Sequence, residues 1–521
     1  VVELALFSFR KVPNVGAVST RVGNACIVAL AAAEPIEAVR NLETLRARVR
    51  YPRTRALIDR ALAGLAERAG MGRCELEDLS VPMHGLSSAG IATTQLGTGG
   101  ARVTLQPDGE IELIWMAADG APRANVPAAL KREAPEGVKR VQREVKELER
   151  TLKTQAMRLE STLLQRRHWS SGDFNERILK HPVLGSLARR LIWTMSAGSQ
   201  RWIVMPFPDG FIDASGSDPH SPSSEYQVCL WHPIDSPAAE VLGWRRLLEN
   251  RRIVQPFKQA HREIYVLTEA ELATETYSNR FAAHILKQHQ LAALCQARGW
   301  AYRLQGAFDS WNAPTRQLPD SGDSVEFLLD TASAGNEQSA AGIFLYVSTD
   351  QVRFMREREP IRLAQVAPRI FSEVMRDVDL FIGVCSVGND PTWRDGGPEA
   401  HRPYWQSFAF GALNTTAELR RTQLERLIPA LTIGKQLSLD GKFLVVRGKL
   451  RTYKIHLGSA NILMEPNDQY LCIVQGGRGH EKVYLPFDGD NVLPLILSKA
   501  LLLAADEHIT DRSIVSQIRR T

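Results

Sequence analysis

KFLVVRGKLRTYKIHLGSANILMEPNDQYLCIV, Lys442 to Val474, runs in short apolar stretches broken by turn residues. KFLVVRG, LRTYKIHL, ANILME and QYLCIV read as strands, with turns at Arg447-Gly448, Gly458-Ser459 and Pro466-Asn467-Asp468. KVYLPF reads as a fifth strand, after a turn at Gly476-Gly477. The helix TAELRRTQLERLIPAL precedes this group. The buried helix NVLPLILSKALLLAA, capped by Asp490, follows it, and a shorter helix starts after Asp511. Consecutive strands closed by terminal helices make an α+β unit.

Working outward, residues 404 to 521 form this last module, and the turn-rich stretch Asp390 to Pro403 marks a boundary before it, so the module is set at 401–521. The preceding region, 168–400, mixes strands and helices. EYQVCLWHP, REIYVLT, SVEFLLD and GIFLYVS read as strands. HPVLGSLARRLIW, Ser236–Asn250, ELATETYSNRFAAHILKQHQLAALCQARG and APRIFSEVMRDVDLFIG read as helices. Residues 91–167 hold a hairpin, ARVTLQPDGEIELIW turning at Pro107-Asp108-Gly109, and a long charged helix within Pro135 to Arg167. Its Glu and Lys/Arg residues often sit four apart, the pattern of a solvated face and not of a nucleic-acid reader. Residues 1–90 carry three Ala/Leu/Arg-rich helices, Ala25–Ala33, Pro35–Val49 and Thr54–Gly70, the arrangement of a solenoid-like helical array. The fold class is α+β: an N-terminal helical array, a central mixed α/β domain, and a C-terminal strand-rich module closed by helices.

Bulk composition fits a multidomain globular protein. The chain has 521 residues with 44% hydrophobic and 23% charged, too long for one core and too apolar for extensive disorder. The net charge of +6 permits an anionic partner without requiring one. Six cysteines stand singly, with no C-x-x-C pair, and read as buried free thiols in a reducing cytoplasm. No apolar run is long enough for a membrane helix, and no segment has the form of a signal peptide. The chain opens VVELALFSF, without an initiator Met, and reads as the C-terminal part of something longer. No phosphate loop, dinucleotide fingerprint, H-E-x-x-H or G-x-S-x-G occurs, and no histidine spacing suits a metal, so no cofactor is expected.

Chemistry therefore centres on the opening stretch. Gly441 to Met464 contains five Lys or Arg, one His and no acidic residue. Strand alternation places Arg451 and Tyr453 on one face with Lys449, and Lys454 and His456 on the other with Thr452. The Gly458-Ser459 turn offers backbone amides, and Asn461 adds an amide side chain. Together, Lys449, Arg451, Tyr453, Lys454, His456, Ser459 and Asn461 are the parts a phosphate or polyanion site would use. Three readings stay open. These residues bind an anionic partner such as nucleic acid; they serve an enzyme acting on a phosphorylated small molecule or nucleic acid, with Arg451, Lys454 and His456 at its centre; or they are structural, paired with Glu465, Asp468, Glu481 and Asp488.

HPVLGSLARRLIW and IVQPFKQAHREIYVLTEAE resemble the bacterial family known as domain of unknown function 4132, labelled molybdate-metabolism-regulator-like. RGKLRTYKIHLGSANILMEPNDQYLCIV, LPFDGD and ILSKALLLAADEHITD resemble the module that follows it in many members. GNACIVALAAA and ELEDLSVP resemble the end of the helical region before it. The resemblance implies a regulatory association and a nucleic-acid-linked or stress-linked role; the leading expectation is a cytoplasmic bacterial regulatory or scaffold protein that presents the C-terminal module to an anionic partner, with protein partners through the helical region. Some members carry a nucleic-acid-associated Trp-Gly-Arg-type domain. It supplies no catalytic residues.

Overall fold

The computed structural model describes residues 1–519 apart from 13–15, 50, 209, 219–224, 311, 320, 333–336, 391–398, 474–486, 488, 489 and 491. Two compact units emerge, Val1–Glu160 with Arg167–Leu230, and Ser161–Arg166 with Trp231–Thr521. Helices and antiparallel sheets alternate in both, as expected for an α+β chain.

The first unit begins with packed helices. Thr20–Ala31 starts at Ser19, whose hydroxyl accepts from the Val22 amide; Pro35–Arg48 and Pro52–Ala69 each start on a proline. Pro52–Ala69 stops at Gly70, which takes the left-handed conformation (φ 61°) that ends a helix cheaply only at glycine. Their apolar stripes meet through Ile27, Leu42, Leu45, Ile58, Leu62 and Leu65, all buried. Val2–Ser8 is a further short helix, absent from the sequence reading. The hairpin forms as expected, Gly99–Leu105 pairing with Ile111–Met116, and gains a strand on either side, Ile91–Leu96 and Pro122–Arg123. The long helix is continuous over Pro135–Gln165 and sets Val138 and Val141 against Trp115. A second sheet, of five strands, buries Trp193, Met195, Val204 and Val228.

In the second unit, strands Ser324–Thr331 and Tyr346–Arg356 pair antiparallel and pack on the helix Pro368–Cys385. The C-terminal module is a five-stranded meander: Leu437–Asp440, Phe443–Arg447, Thr452–His456, Ile462–Met464 and Gln469–Leu471. Helices Val492–Ala504 and Arg512–Ile518 cover its apolar face. The strand Leu437–Asp440 was not foreseen, and KVYLPF lies outside the described residues up to Phe487.

Three expectations for the central region are corrected. REIYVLT forms no ladder: the Tyr265 amide donates to Ser372 Oγ (3.0 Å), so a helix side chain takes the place of a neighbouring strand. ELATETYSNRFAAHILKQHQLAALCQARG is not one helix. A capping box between Thr268 and Glu271 starts Glu269–Thr274, which ends at Glu275 (φ 60°). The chain then pairs through Tyr277–Ser278 and Ile285–Lys287 with Tyr346–Arg356 before the helix Gln288–Ala297. In HPVLGSLARRLIW the helix is Pro182–Ala188 only; the Trp193 indole donates to the Ala188 carbonyl (2.9 Å) from the following strand.

Candidate functional site

The sheet pleat sorts the basic segment as its alternation requires. Tyr453 and Ile455 face the core, while Thr452 and Lys454 lie on the half-buried opposite face. What decides its chemistry is Asp506, in the turn after the helix Val492–Ala504. Its carboxylate accepts from the amides of Lys449 (2.9 Å), Leu450 (2.9 Å) and Arg451 (3.1 Å), and from the Tyr453 hydroxyl (2.9 Å). Burial and this carboxylate push the Tyr453 phenol up. Gly448 makes the approach possible: a Cβ there would sit 2.4 Å from Asp506 Oδ2. The cradle of backbone amides that could hold an anion thus holds the chain's own carboxylate.

The cations are engaged in the same way. Lys449 Nζ lies 2.5 Å from Glu507 Oε1. Arg451 donates to the carbonyls of Ile518 (2.5 Å) and Glu465 (3.2 Å). Lys454 pairs with Asp468 (2.8 Å) and Glu465 (3.5 Å), and the bond to Asp468 raises its pKa. Of the four carboxylates expected to neutralise this segment, Glu465 and Asp468 do so; Glu481 and Asp488 lie outside the described residues.

His456 and the Gly458-Ser459 turn form a separate, inward-looking group. The Ser459 amide donates to His456 Nδ1 (3.2 Å), which leaves the proton on Nε2, and Nε2 donates to the Gly411 carbonyl (3.0 Å). Burial lowers the His456 pKa to about 4, so the ring is neutral near pH 7. Ser459 Oγ donates to the Ala409 carbonyl (2.6 Å) and accepts from the Asn461 amide (3.2 Å). Lys449, Arg451 and Tyr453 thus converge on Asp506, while His456, Ser459 and Asn461 converge on each other.

A second polar constellation lies in the stretch Gln255–Glu263, which is irregular yet has six polar or charged residues buried: Gln255, Lys258, Gln259, His261, Arg262 and Glu263 are each under 7% exposed, and only Pro256 in the stretch is less covered. Lys258 Nζ bridges Glu263 Oε1 (2.7 Å) and Asp490 Oδ2 (3.0 Å). Arg376 closes on Glu263 (2.9 Å), and Arg420 on Asp490 (3.0 Å). Burial alone would raise Glu263; Lys258 and Arg376 overcome it and hold it at about 2. Arg420 and Lys258 likewise hold Asp490 well below the usual carboxylate range. Asp490 also caps the helix Val492–Ala504 as expected, accepting from the Val492 and Leu493 amides (2.9 and 3.1 Å). Arg262 grips Glu373 with two bonds of 2.6 Å, and His232 adds a third at 3.1 Å. Tyr265, Asn414 and Thr416 all donate to Asp379 (2.8, 2.9 and 2.5 Å), whose pKa burial raises.

This constellation was not recognised as a site in the sequence. Its only signal is the density of polar residues in QPFKQAHREIY without helical or strand period. It is solvent-excluded and its charges are paired, so it can hold segments together but offers no open face to a substrate. A hollow of ≈ 510 Å³ includes Arg316 as its one charged lining residue, and that guanidinium is turned onto Asp377 (2.7 Å). Among the described residues, no three His, Cys, Asp or Glu side chains converge to hold a metal, and no helix is long and apolar enough to cross a membrane. Four cysteines are buried as expected, but Cys74 is exposed and Cys472 half-buried.

The comparisons follow the two sequence stretches that looked familiar. Residues 120–300 match the family model described as Domain of unknown function (DUF4132). Residues 417–518 match a second, Domain of unknown function (DUF7737). DUF4132 thus covers the Gln255–Glu263 stretch, and DUF7737 covers Arg420, the basic strands, Asp490 and Asp506. Neither description names an activity, so the molybdate-regulator label has no support from them. No curated protein and no solved structure matches the chain.

Proposed function

We propose that the chain is a scaffold, with a regulatory role of that kind, whose conspicuous polar residues build the fold and whose helical region meets protein partners. The observation that carries this reading is Asp506, seated in the amide cradle that an external anion would need. The engagement of Arg451, Lys454 and His456 by carbonyls and carboxylates weighs against the enzyme reading, since among the described residues each of the three is turned onto a different partner. Support for protein partners comes from the first two helices. Leu4, Phe7, Val22 and Val28 are 52%, 58%, 42% and 62% exposed, while Ala5, Ile27 and Leu30 on the same helices fill the core.

Replacing Lys449, Arg451 and Lys454 together by alanine separates this reading from the anion-binding one. A structural role predicts a melting temperature lower by several degrees, because Glu465, Asp468 and Glu507 lose their partners, and unchanged retention on duplex DNA or heparin at low salt. Weaker, less salt-dependent polyanion binding at an unchanged melting temperature would return the anion site to first place.

A further inference from the structure

The long helix Pro135–Gln165 carries a second set of cations, and these are differently placed from those in the C-terminal sheet. Lys139, Arg143, Lys146, Arg150 and Lys153 are all exposed. Their spacing, i, i+4, i+7, i+11 and i+14, keeps them within an arc of about 80° and spreads them over about 21 Å of helix. Arg150 pairs with Glu147 (2.5 Å) and Lys139 with Glu136 (2.8 Å). Among the described residues, Arg143, Lys146 and Lys153 make no ion pair within 4 Å, in contrast to Lys454 and Lys449. A shallow hollow of ≈ 400 Å³ lies along the row, lined by Glu136, Lys139, Gln142, Arg143 and Lys146.

We propose that this row is a docking track for an acidic α-helix of a partner protein. The cations repeat every three to four residues, about 5–6 Å apart, the spacing at which a helix displays Glu or Asp at successive i, i+3 and i+4 positions. The row is narrow. Glu136 and Glu147 flank it at about 60–80° on one side and Glu149 at about 80° on the other. A single file of carboxylates fits between them. A nucleic-acid duplex, with phosphates on both sides of a groove about 6–12 Å wide, would set its outer phosphates against those flanking acids. No aromatic side chain interrupts the row, so base stacking has no platform there either. The apolar face of the helix is already committed inward through Val138, Val141, Leu148 and Leu159, which leaves charge as the means of recognition.

This inference rests on the scaffold reading and names a partner for it. The probe is a synthetic helical peptide of three EAALEAA repeats, set against a peptide of the same composition with its Glu residues dispersed around the helix. Fluorescence anisotropy with the full chain at low salt should show binding of the first peptide. That binding should fall about tenfold or more in Arg143→Glu/Lys146→Glu, with the dispersed peptide and at high salt. Both substitutions are at exposed positions, and an unchanged circular dichroism spectrum would confirm the fold. Equal binding of the two peptides, no binding of either, or preferential duplex DNA binding lost in the same variant would each overturn the track. None of these outcomes touches the triple-alanine result on the C-terminal sheet, so the scaffold reading would fail or survive separately.

Discussion

At the scale of single residues, Asp506 is worth more than any cation it sits beside. One carboxylate serves three amides and a buried phenol. Asp506→Ala leaves these donors in a site that water reaches poorly, and an unpaired buried polar group costs about 1–3 kcal/mol. The expected loss is therefore about 3–5 kcal/mol, read as a shift in the midpoint of urea unfolding. Tyr453→Phe removes only one of the four bonds and should cost about 1 kcal/mol. Equal effects of the two substitutions, or a loss under 1 kcal/mol for Asp506→Ala, would mean that the turn re-forms without the carboxylate. The residue was invisible in advance because AADEHITD has neither period nor motif; only the return of the helix to the sheet brings it to Lys449. The alternation of LRTYKIHL was legible, since a strand has just two faces, but which face was buried depended on what packed there.

At the scale of elements, the helix Pro368–Cys385 shows where periodicity informs and where it stops. Its apolar positions Phe371, Val374, Met375, Val378, Phe381 and Ile382 are core, as the pattern required. Its charged positions Arg369, Glu373, Asp377 and Asp379 are buried as well, each bound to a side chain distant in sequence. Such pairing is set by tertiary contacts, which period alone does not carry. The irregular stretch Gln255–Glu263 lies among these partners and should make the second unit acid-sensitive in two stages. Burial lowers His261 to about 4, with its ring against Phe487 (5.1 Å) and Glu249 3.6 Å away. A histidine whose folded pKa is depressed takes up its proton first in the unfolded chain, so stability falls as pH drops below about 6.5 and stops falling below about 4. That group alone should cost about 3 kcal/mol by pH 4. Glu263, held at about 2, adds a second loss from about pH 4.5 downward, because its folded-state advantage exists only while it is ionised. Urea unfolding across this range should show both stages; His456 and His284, also lowered to about 4 by burial, share the first, so His261→Gln should shrink it by about 3 kcal/mol while leaving the second. The same slope between about pH 6.5 and 4.5 with and without His261→Gln would place the His261 ring in contact with water.

At the scale of the whole molecule, the two matched segments and the two compact units do not coincide. The DUF4132 match, 120–300, crosses the division at Leu230, so its last seventy residues fold with the second unit and with the DUF7737 segment, 417–518. Within that unit the segments are joined by charge. Lys258 pairs with Asp490 and Glu249 with Arg426 (2.8 Å), both in buried or half-buried surroundings. A sequence reading places a boundary near residue 400 because turns and polar residues cluster there; it has no access to ion pairs spanning more than two hundred residues. Joints of this kind transmit disturbance, since removing one member of a buried pair strands the other at a cost of about 3–5 kcal/mol. Lys258→Ala should therefore destabilise both sides of the joint together. Amide hydrogen exchange is the appropriate measurement, because it reads each strand separately. Slow amides in Phe443–Arg447 and in Tyr346–Arg356 should speed up by similar factors in the variant. Faster exchange confined to one of the two strands would show that the segments open independently, and that the ion pairs between them fasten two folding units that would stand without each other.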